Sequence, residues 1–351
     1  MRDFIPQIEP WIDESELIEL RRVIDSTFVT ENELTKEFEE MIRNLTGSKY
    51  AVATTNGTAA LYCCLKAMGV TEGHEVIVPN ITFVATANAV LLAGATPVIC
   101  EVDPKTLCME VIIPVHLYGQ SCDMNIICDI AKHHGLGVLE DAAQGVGVRF
   151  EGQHVGTFGE MGILSFYGNK TITCGEGGVI LTDSKELRDA AYRLKNHGRI
   201  TKGTFKHKHI GFNFSFTEMQ AAIGISQMKK LPKIIEKKQQ IHNRYHKALE
   251  PLSDKLKPIR LDNRCKPVWW FTSFLANEKA ELQKYLLDSG IQTRDFFYPL
   301  HMQPCYEYMN IQGDYSTSET AYMQGISLPS SYNLSSEEQE YIIKCIKEFY
   351  G

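Results

Sequence analysis

Apolar residues recur at helical intervals in ESELIELRRVID (14–25) and again in ELTKEFEEMIRNL (33–45), which predicts two amphipathic helices near the start of the chain. The pattern then changes. YAVATT is a short unbroken apolar run of the kind a buried strand needs, and NGTAALYCCLKAMGV reads as a turn leading into a helix. EVIVP (75–79) repeats the strand signature and FVATANAVLLAG the helical one, while TPVICEV (96–102), VIIPVHL (111–117) and LGVLED (136–141) are further strand candidates. Strands alternating with helices predict an α/β domain whose central sheet is mainly parallel and flanked by helices. After residue 231 the texture shifts. LPKIIEKKQQIHNRYHKALEPL predicts a long amphipathic helix with a solvated charged face, VWWFTSFLA a strand, and AELQKYLLDSG and EEQEYIIKCIKEFY two more helices. The expected organisation is a large domain over 1–230 with an N-terminal arm, then a smaller α+β domain over 231–351 led by the long helix.

Composition narrows the function. The 351 residues are 44% hydrophobic and 23% charged, as in a folded enzyme, and the formal charge of −7 gives no basic surface for nucleic acid. A phosphate-bearing small substrate stays open, because a local positive site can bind it. Ten cysteines occur without CxxC or zinc-type spacing, which suggests reduced thiols and no metal site. The start has no apolar core of signal-peptide type and no long apolar run follows, so a cytoplasmic location without membrane contact is expected.

The chemistry centres on SFYGNKTITCGEGG (165–178), which holds Lys170 in a glycine-rich stretch. A nucleotide-binding P-loop places its lysine directly after a glycine; here Asn169 intervenes and GEGG follows the lysine instead of preceding it. The apolar flanks GILSFY and GGVILT suggest a buried strand-turn-strand, where a lysine loses hydration and drifts toward neutrality. A neutral amine is a nucleophile, and an aldehyde cofactor is its usual target. On the residues alone, nucleophile and surface cation both stand. Asp141 ends an apolar strand and suits either the ring nitrogen of pyridoxal phosphate or a helix N-cap. Gly57 and Thr58 in TTNGTAAL suit either a phosphate cup at a helix N-terminus or a plain turn.

NGTAAL, ITFVATANAV, VHLYGQSCDM, EDAAQGVG, SFYGNKTITCGEGG and GFNFSFTEMQAAIG follow one another in this order. With them the chain resembles, from near residue 5 to its C-terminus, the DegT/DnrJ/EryC1/StrS sugar-nucleotide aminotransferases, fold type I pyridoxal-phosphate enzymes. FYGNKTIT and TRDFFYPLHMQPCY are most similar to the 4-aminotransferases that make perosamine or viosamine. The resemblance implies transfer of an amino group from glutamate to a nucleotide-linked 4-keto-6-deoxyhexose, giving a 4-amino-4,6-dideoxy sugar.

Carried over by position, Lys170 is the lysine that bonds pyridoxal 5′-phosphate and moves the proton, and Asp141 faces the pyridine nitrogen. Gln144 lies beside the 3-hydroxyl, Phe83 stacks on the ring, and Gly57, Thr58 and Ser165 form the phosphate cup. Asn213 reaches the phosphate from the neighbouring subunit, which implies a homodimer with shared active sites, and Tyr298 and His301 contact the sugar nucleotide. Trp269 and Trp270 read as core and strand-face residues. Family members carry a helix between EVDPKTLCM and VHLYG, whereas here Met109 runs almost directly into VIIPVHLYG, some eighteen residues (about five turns) short. A 3-aminotransferase, a sugar 3-dehydratase and a non-catalytic cofactor-binding sensor are the alternatives. The dehydratases carry histidine where Lys170 stands.

Overall fold

Helices α1 (Glu14–Ser26) and α2 (Glu33–Thr46) form where the apolar spacing placed them, in a computed structural model that describes residues 2–102, 113–199 and 205–351. A capping box between Asp13 and Glu16 starts α1. The side chain of Asn32 does not cap α2. Buried Glu218 does so instead, accepting from the backbone N–H groups of Asn32, Leu34 and Thr35. A carboxylate remote in sequence thus satisfies the orphan donors and the positive end of the helix dipole.

The chain continues as β1 (Tyr50–Thr54), α3 (Gly57–Ala67), β2 (Glu75–Pro79), α4 (Ala85–Leu92) and β3 (Thr96–Cys100). Next come α5 (Met124–His134), β4 (Leu139–Asp141), the short pair β5 (Arg149–Phe150) and β6 (Gln153–His154), β7 (Met161–Ser165), β8 (Gly178–Thr182) and α6 (Lys185–Lys195). One sheet runs β1-β8-β7-β4, and β2 and β3 form a parallel pair. Residues 113–115 connect the two: Ile113 N donates to Ile77 O, and Val115 bridges to Asp141 in parallel. The predicted strand over 111–117 is therefore represented by its described part. The shortened stretch around Met109 lies outside the described residues. β8 alone runs antiparallel to both of its neighbours, so the sheet is mixed. β7 and β8 are buried at every position, as unbroken apolar runs covered on both faces require.

Helix α7 (Glu218–Leu249) begins well before the predicted start at 231. A Thr217–Gln220 capping box sets its first turn, and Pro232, which resembles a helix start in the sequence, lies inside it. Its charged face is not wholly solvated, contrary to expectation. Lys230 is buried and pairs with Glu16 at 2.7 Å, and Lys238 is buried against two carbonyls. Beyond α7 lie β9 (Leu256–Pro258), β10 (Cys265–Lys266), β11 (Thr272–Ala276), α8 (Lys279–Asp288) and β12 (Arg294–Asp295). α9 (Ser316–Gln324), β13 (Gly325–Leu328) and α10 (Ser336–Tyr350) follow. β12-β13-β11-β9 make an antiparallel sheet, while β10 pairs with β5. The N-terminal arm packs on this C-terminal unit: Ile5 N donates to Gly290 O, and Arg2 pairs with Glu338 at 2.6 Å.

Candidate active site

The ends of β1, β4 and β7 open together. The first turn of α3, the approach to α4 and the turn after β7 converge there on a cavity of about 410 Å³. Carboxyl ends of strands are where an α/β sheet leaves a crevice between diverging connections. Asp141 sits at the tip of β4, buried to 5% exposure. Thr86 Oγ1 donates to its Oδ2 at 2.8 Å, Ala143 N donates to its Oδ1 at 3.1 Å, and Thr82 hydrogen-bonds Thr86 in turn. The carboxylate is thereby held in one orientation at the cavity wall.

Asn56 caps α3 by accepting from Ala59 N at 2.8 Å, and the N–H groups of Gly57 and Thr58, in the first turn, have no helical acceptor. Gly57, Thr58 and Ser165 line the same cavity. A Cβ at Gly57 would lie 3.2 Å from Ser165 Cβ, so a side chain there would press into the cup. The GEGG run also finds its place. A Cβ at Gly178 would meet Asn56 O at 2.4 Å and Gly57 N at 2.8 Å, so only glycine lets β8 pass this close to the helix start.

Lys170 stands in the turn after β7, closed by its own N–H to Tyr167 O at 2.9 Å. Its side chain is half-buried and opens on the cavity. Burial lowers its pKa to about 8; the Asp141 charge opposes this, and Arg294 pushes it further down. The amine lies 4.2 Å from the centre of the Trp270 ring. Among the described residues no hydrogen bond or ion pair engages it. Trp270 Nε1 donates to Asn169 O at 2.7 Å and so holds the turn from the opposite side.

Lys170, Asp141, Gln144, Phe83, Gly57, Thr58 and Ser165 all line this one cavity. Gln144 Oε1 accepts from Tyr118 N at 2.6 Å, which leaves the amide's Nε2 as the donor for the cavity. Phe83 is 57% exposed, so it is no core residue. Its ring faces Phe297 at 6.1 Å between centroids. Asn213 is exposed, donates nothing to this cavity and accepts from Ser215 N. Tyr298 and His301 lie outside the lining as well. Tyr298 meets Tyr322 edge-on, and His301 hydrogen-bonds Asn80 and Glu319 and stacks on Tyr315.

Sequence reasoning passed over Trp270, Arg294, Phe297 and Thr86. Trp270 is buried, as a core residue would be, but it lines the cavity beside Lys170; Trp269 instead stacks on His242 at 3.6 Å. A cation beginning the aromatic run RDFFY was the available signal for Arg294 and Phe297.

The profile of the DegT/DnrJ/EryC1/StrS aminotransferase family matches residues 10–347. The chain is 36% identical over 368 residues to GDP-perosamine synthase of Escherichia coli O157:H7, with 99% of each protein covered. Among solved structures it is similar to DesV of S. venezuelae, with a TM-score of 0.93, 27% identity and 99% of each chain covered. It is also similar to ntda of Bacillus subtilis with bound cofactor pmp, with a TM-score of 0.91, 28% identity, 99% of this chain and 85% of that one covered.

Proposed function

The chain belongs to the DegT/DnrJ/EryC1/StrS aminotransferase family and is a pyridoxal-phosphate-dependent sugar-nucleotide aminotransferase; from that premise we propose that it transfers the amino group of glutamate to C4 of a nucleotide-linked 4-keto-6-deoxyhexose. A 4-amino-4,6-dideoxy sugar nucleotide of the perosamine or viosamine type is the product. The perosamine-synthase relatives favour C4 over C3, and a lysine at 170 disfavours the dehydratase.

Pyridoxal phosphate needs a reactive amine, an acid for its ring nitrogen and donors for its phosphate. The residues present fit it: Lys170 offers the amine, Asp141 a buried oriented carboxylate, and the start of α3, where Gly57 lies close against Ser165, the donors for the phosphate. When bound, the cofactor supplies an aldehyde that carries the amino group and a protonated ring that withdraws electrons. Asp141 would keep the ring nitrogen protonated. The N–H groups of Gly57 and Thr58 and the Ser165 hydroxyl would hold the phosphate, Gln144 would donate to the 3-hydroxyl, and Phe83 would cover the ring. Lys170 Nζ, free of hydrogen bonds, would take a proton from the donor's Cα and later deliver one to the sugar's C4.

The observation that carries this reading is the unengaged Lys170 amine, of lowered proton affinity, on the same cavity as Asp141. The nearest partners of Tyr298 and His301 are protein groups, so their contact with the sugar nucleotide would come from the rim. Asn213 would act in the partner's site, in a homodimer. Among the described residues no helix is long and apolar enough to cross a membrane and every cysteine is free, which supports a reducing cytoplasmic setting. The test is a panel of GDP-, UDP- and dTDP-linked 4-keto-6-deoxy sugars with glutamate, the products identified by mass and NMR. A 4-amino product from one of them is expected; no amino sugar from any would refute the reading.

A further inference from the structure

Tyr118 is buried and its backbone is left-handed, with φ of 53° and ψ of 24°. A residue with a β-carbon adopts that conformation only where its surroundings hold it there. Gly119 follows at φ of 84°, and a Cβ on it would meet Val268 O at 1.8 Å, so the turn is pressed against that segment. The tyrosine side chain supplies the rest of the hold. Its hydroxyl accepts from Phe297 N at 3.1 Å, and its ring lies 4.5 Å from that of Phe296 and 5.7 Å from that of Phe297. With the turn fixed, Tyr118 N donates to Gln144 Oε1 at 2.6 Å. Gln144 and Phe297 both line the Lys170 cavity, and Tyr118 joins them. An amide free to rotate offers a ligand its oxygen or its nitrogen; one whose oxygen is taken offers the nitrogen alone.

We propose that Tyr118 is a positioning residue for the cofactor, acting through Gln144. Its packed ring keeps the turn left-handed, the turn aims an N–H at Gln144 Oε1, and Gln144 Nε2 is thereby held as a donor to the cofactor's 3-hydroxyl. The proposal rests on the reading of Gln144 as that donor. It assigns the strained turn a task that packing alone does not explain, since a glycine at 118 would make the same turn without strain.

The test is a double-mutant cycle on cofactor affinity. Pyridoxamine 5′-phosphate is the probe, because it carries the ring, 3-hydroxyl and phosphate but no aldehyde to bond a lysine. It is titrated calorimetrically into the cofactor-free wild type, Tyr118→Ala, Gln144→Ala and the double variant. Each single change is expected to weaken binding about tenfold, the range of one hydrogen bond. The double variant should also lose about tenfold, because the tyrosine has nothing left to act through. Tyr118→Leu, which keeps buried bulk, runs in the same cycle with the same expectation should the alanine variant not fold. Tyr118→Gly, which takes the turn without strain, should stay within about threefold of wild type. In the holoenzymes, the pH at which the cofactor's visible band changes should move upward in Tyr118→Ala as in Gln144→Ala, because a donor to the 3-oxygen favours its ionised form. If Gln144→Ala weakens binding but the Tyr118 variants do not, the proposal alone is overturned. Losses that multiply to about a hundredfold in the double variant would overturn it too. Unchanged affinity in Gln144→Ala would remove the reading of Gln144 and the proposal together.

Discussion

Trp270 touches two lysine amines. Lys170 Nζ lies 4.2 Å from its ring centre, and Lys238 Nζ donates to its carbonyl at 2.9 Å and to Ser330 O at 3.0 Å. Burial lowers the pKa of both, to about 8 for Lys170 and about 7 for Lys238. They differ in what surrounds the nitrogen. A neutral amine has two N–H donors and one lone pair, and in Lys238 two carbonyls occupy both donors in a packed junction between α7 and the C-terminal unit. Lys170 has no such partners and faces open space. A weakly held proton therefore marks burial. Chemistry needs, in addition, a lone pair that a substrate can reach.

The contrast breaks most visibly at Lys170. Lys170→Ala is expected to lower turnover on the order of 10³-fold, the range for losing an acid–base group, while circular dichroism shows an intact fold. Turnover within about tenfold of wild type would place the chemistry elsewhere. Mixing this inactive variant with inactive Asn213→Asp asks whether the open site is shared between chains. If it is, random mixed dimers carry one site with both lesions and one with neither, and about a quarter of all sites should recover activity. Verified subunit exchange without recovery would assign Asn213 to its own chain's fold.

Trp270→Phe separates the two amines more finely. It keeps the carbonyl that holds Lys238 and removes the N–H that holds the Lys170 turn through Asn169 O. Losing one such hydrogen bond should reduce turnover by about tenfold and shift thermal stability little, as assays and melting curves would show.

Lys238→Met should act in reverse. Turnover in the folded fraction is expected to stay within about twofold, while two carbonyls left without donors cost about 1–3 kcal/mol of stability. pH sharpens this prediction. Each amine holds its proton less well in the folded chain than in the unfolded one, so between roughly pH 7 and pH 10.5 the unfolded chain binds more protons. Stability of the cofactor-free protein should therefore rise with pH through that window, by at most about 1.4 kcal/mol per unit for each amine. In Lys238→Met the part of the rise that begins near pH 7 should vanish, as denaturant unfolding at several pH values would measure. An unchanged slope would mean that Lys238 is charged in the folded protein.

The parts of the site readable in the sequence are those carried by local signals. Asp141 closes a strand, and Gly57 and Lys170 come soon after the ends of two others, each strand an unbroken apolar run visible in the sequence, so their place at the strand ends followed from the pattern. Trp270, Arg294 and Phe297 reach the cavity from the C-terminal unit, about a hundred residues later, through packing that no local period encodes. Lys238 misleads for the same reason. On an amphipathic helix rich in lysine it reads as solvated, and only the second body packed against α7 buries it. Capping shows the same division: the Thr217–Gln220 box is written in adjacent residues, whereas Glu218 at the start of α2 is a contact across the fold.

Reducing the holoenzyme with borohydride fixes the cofactor to whichever amine it has bonded, and peptide mass mapping then locates it. The expected result is the cofactor's mass on the peptide containing Lys170 and none on that containing Lys238. Label on Lys238, or on neither lysine in a protein that has bound the cofactor, would contradict the assignment of Lys170 as the reactive amine.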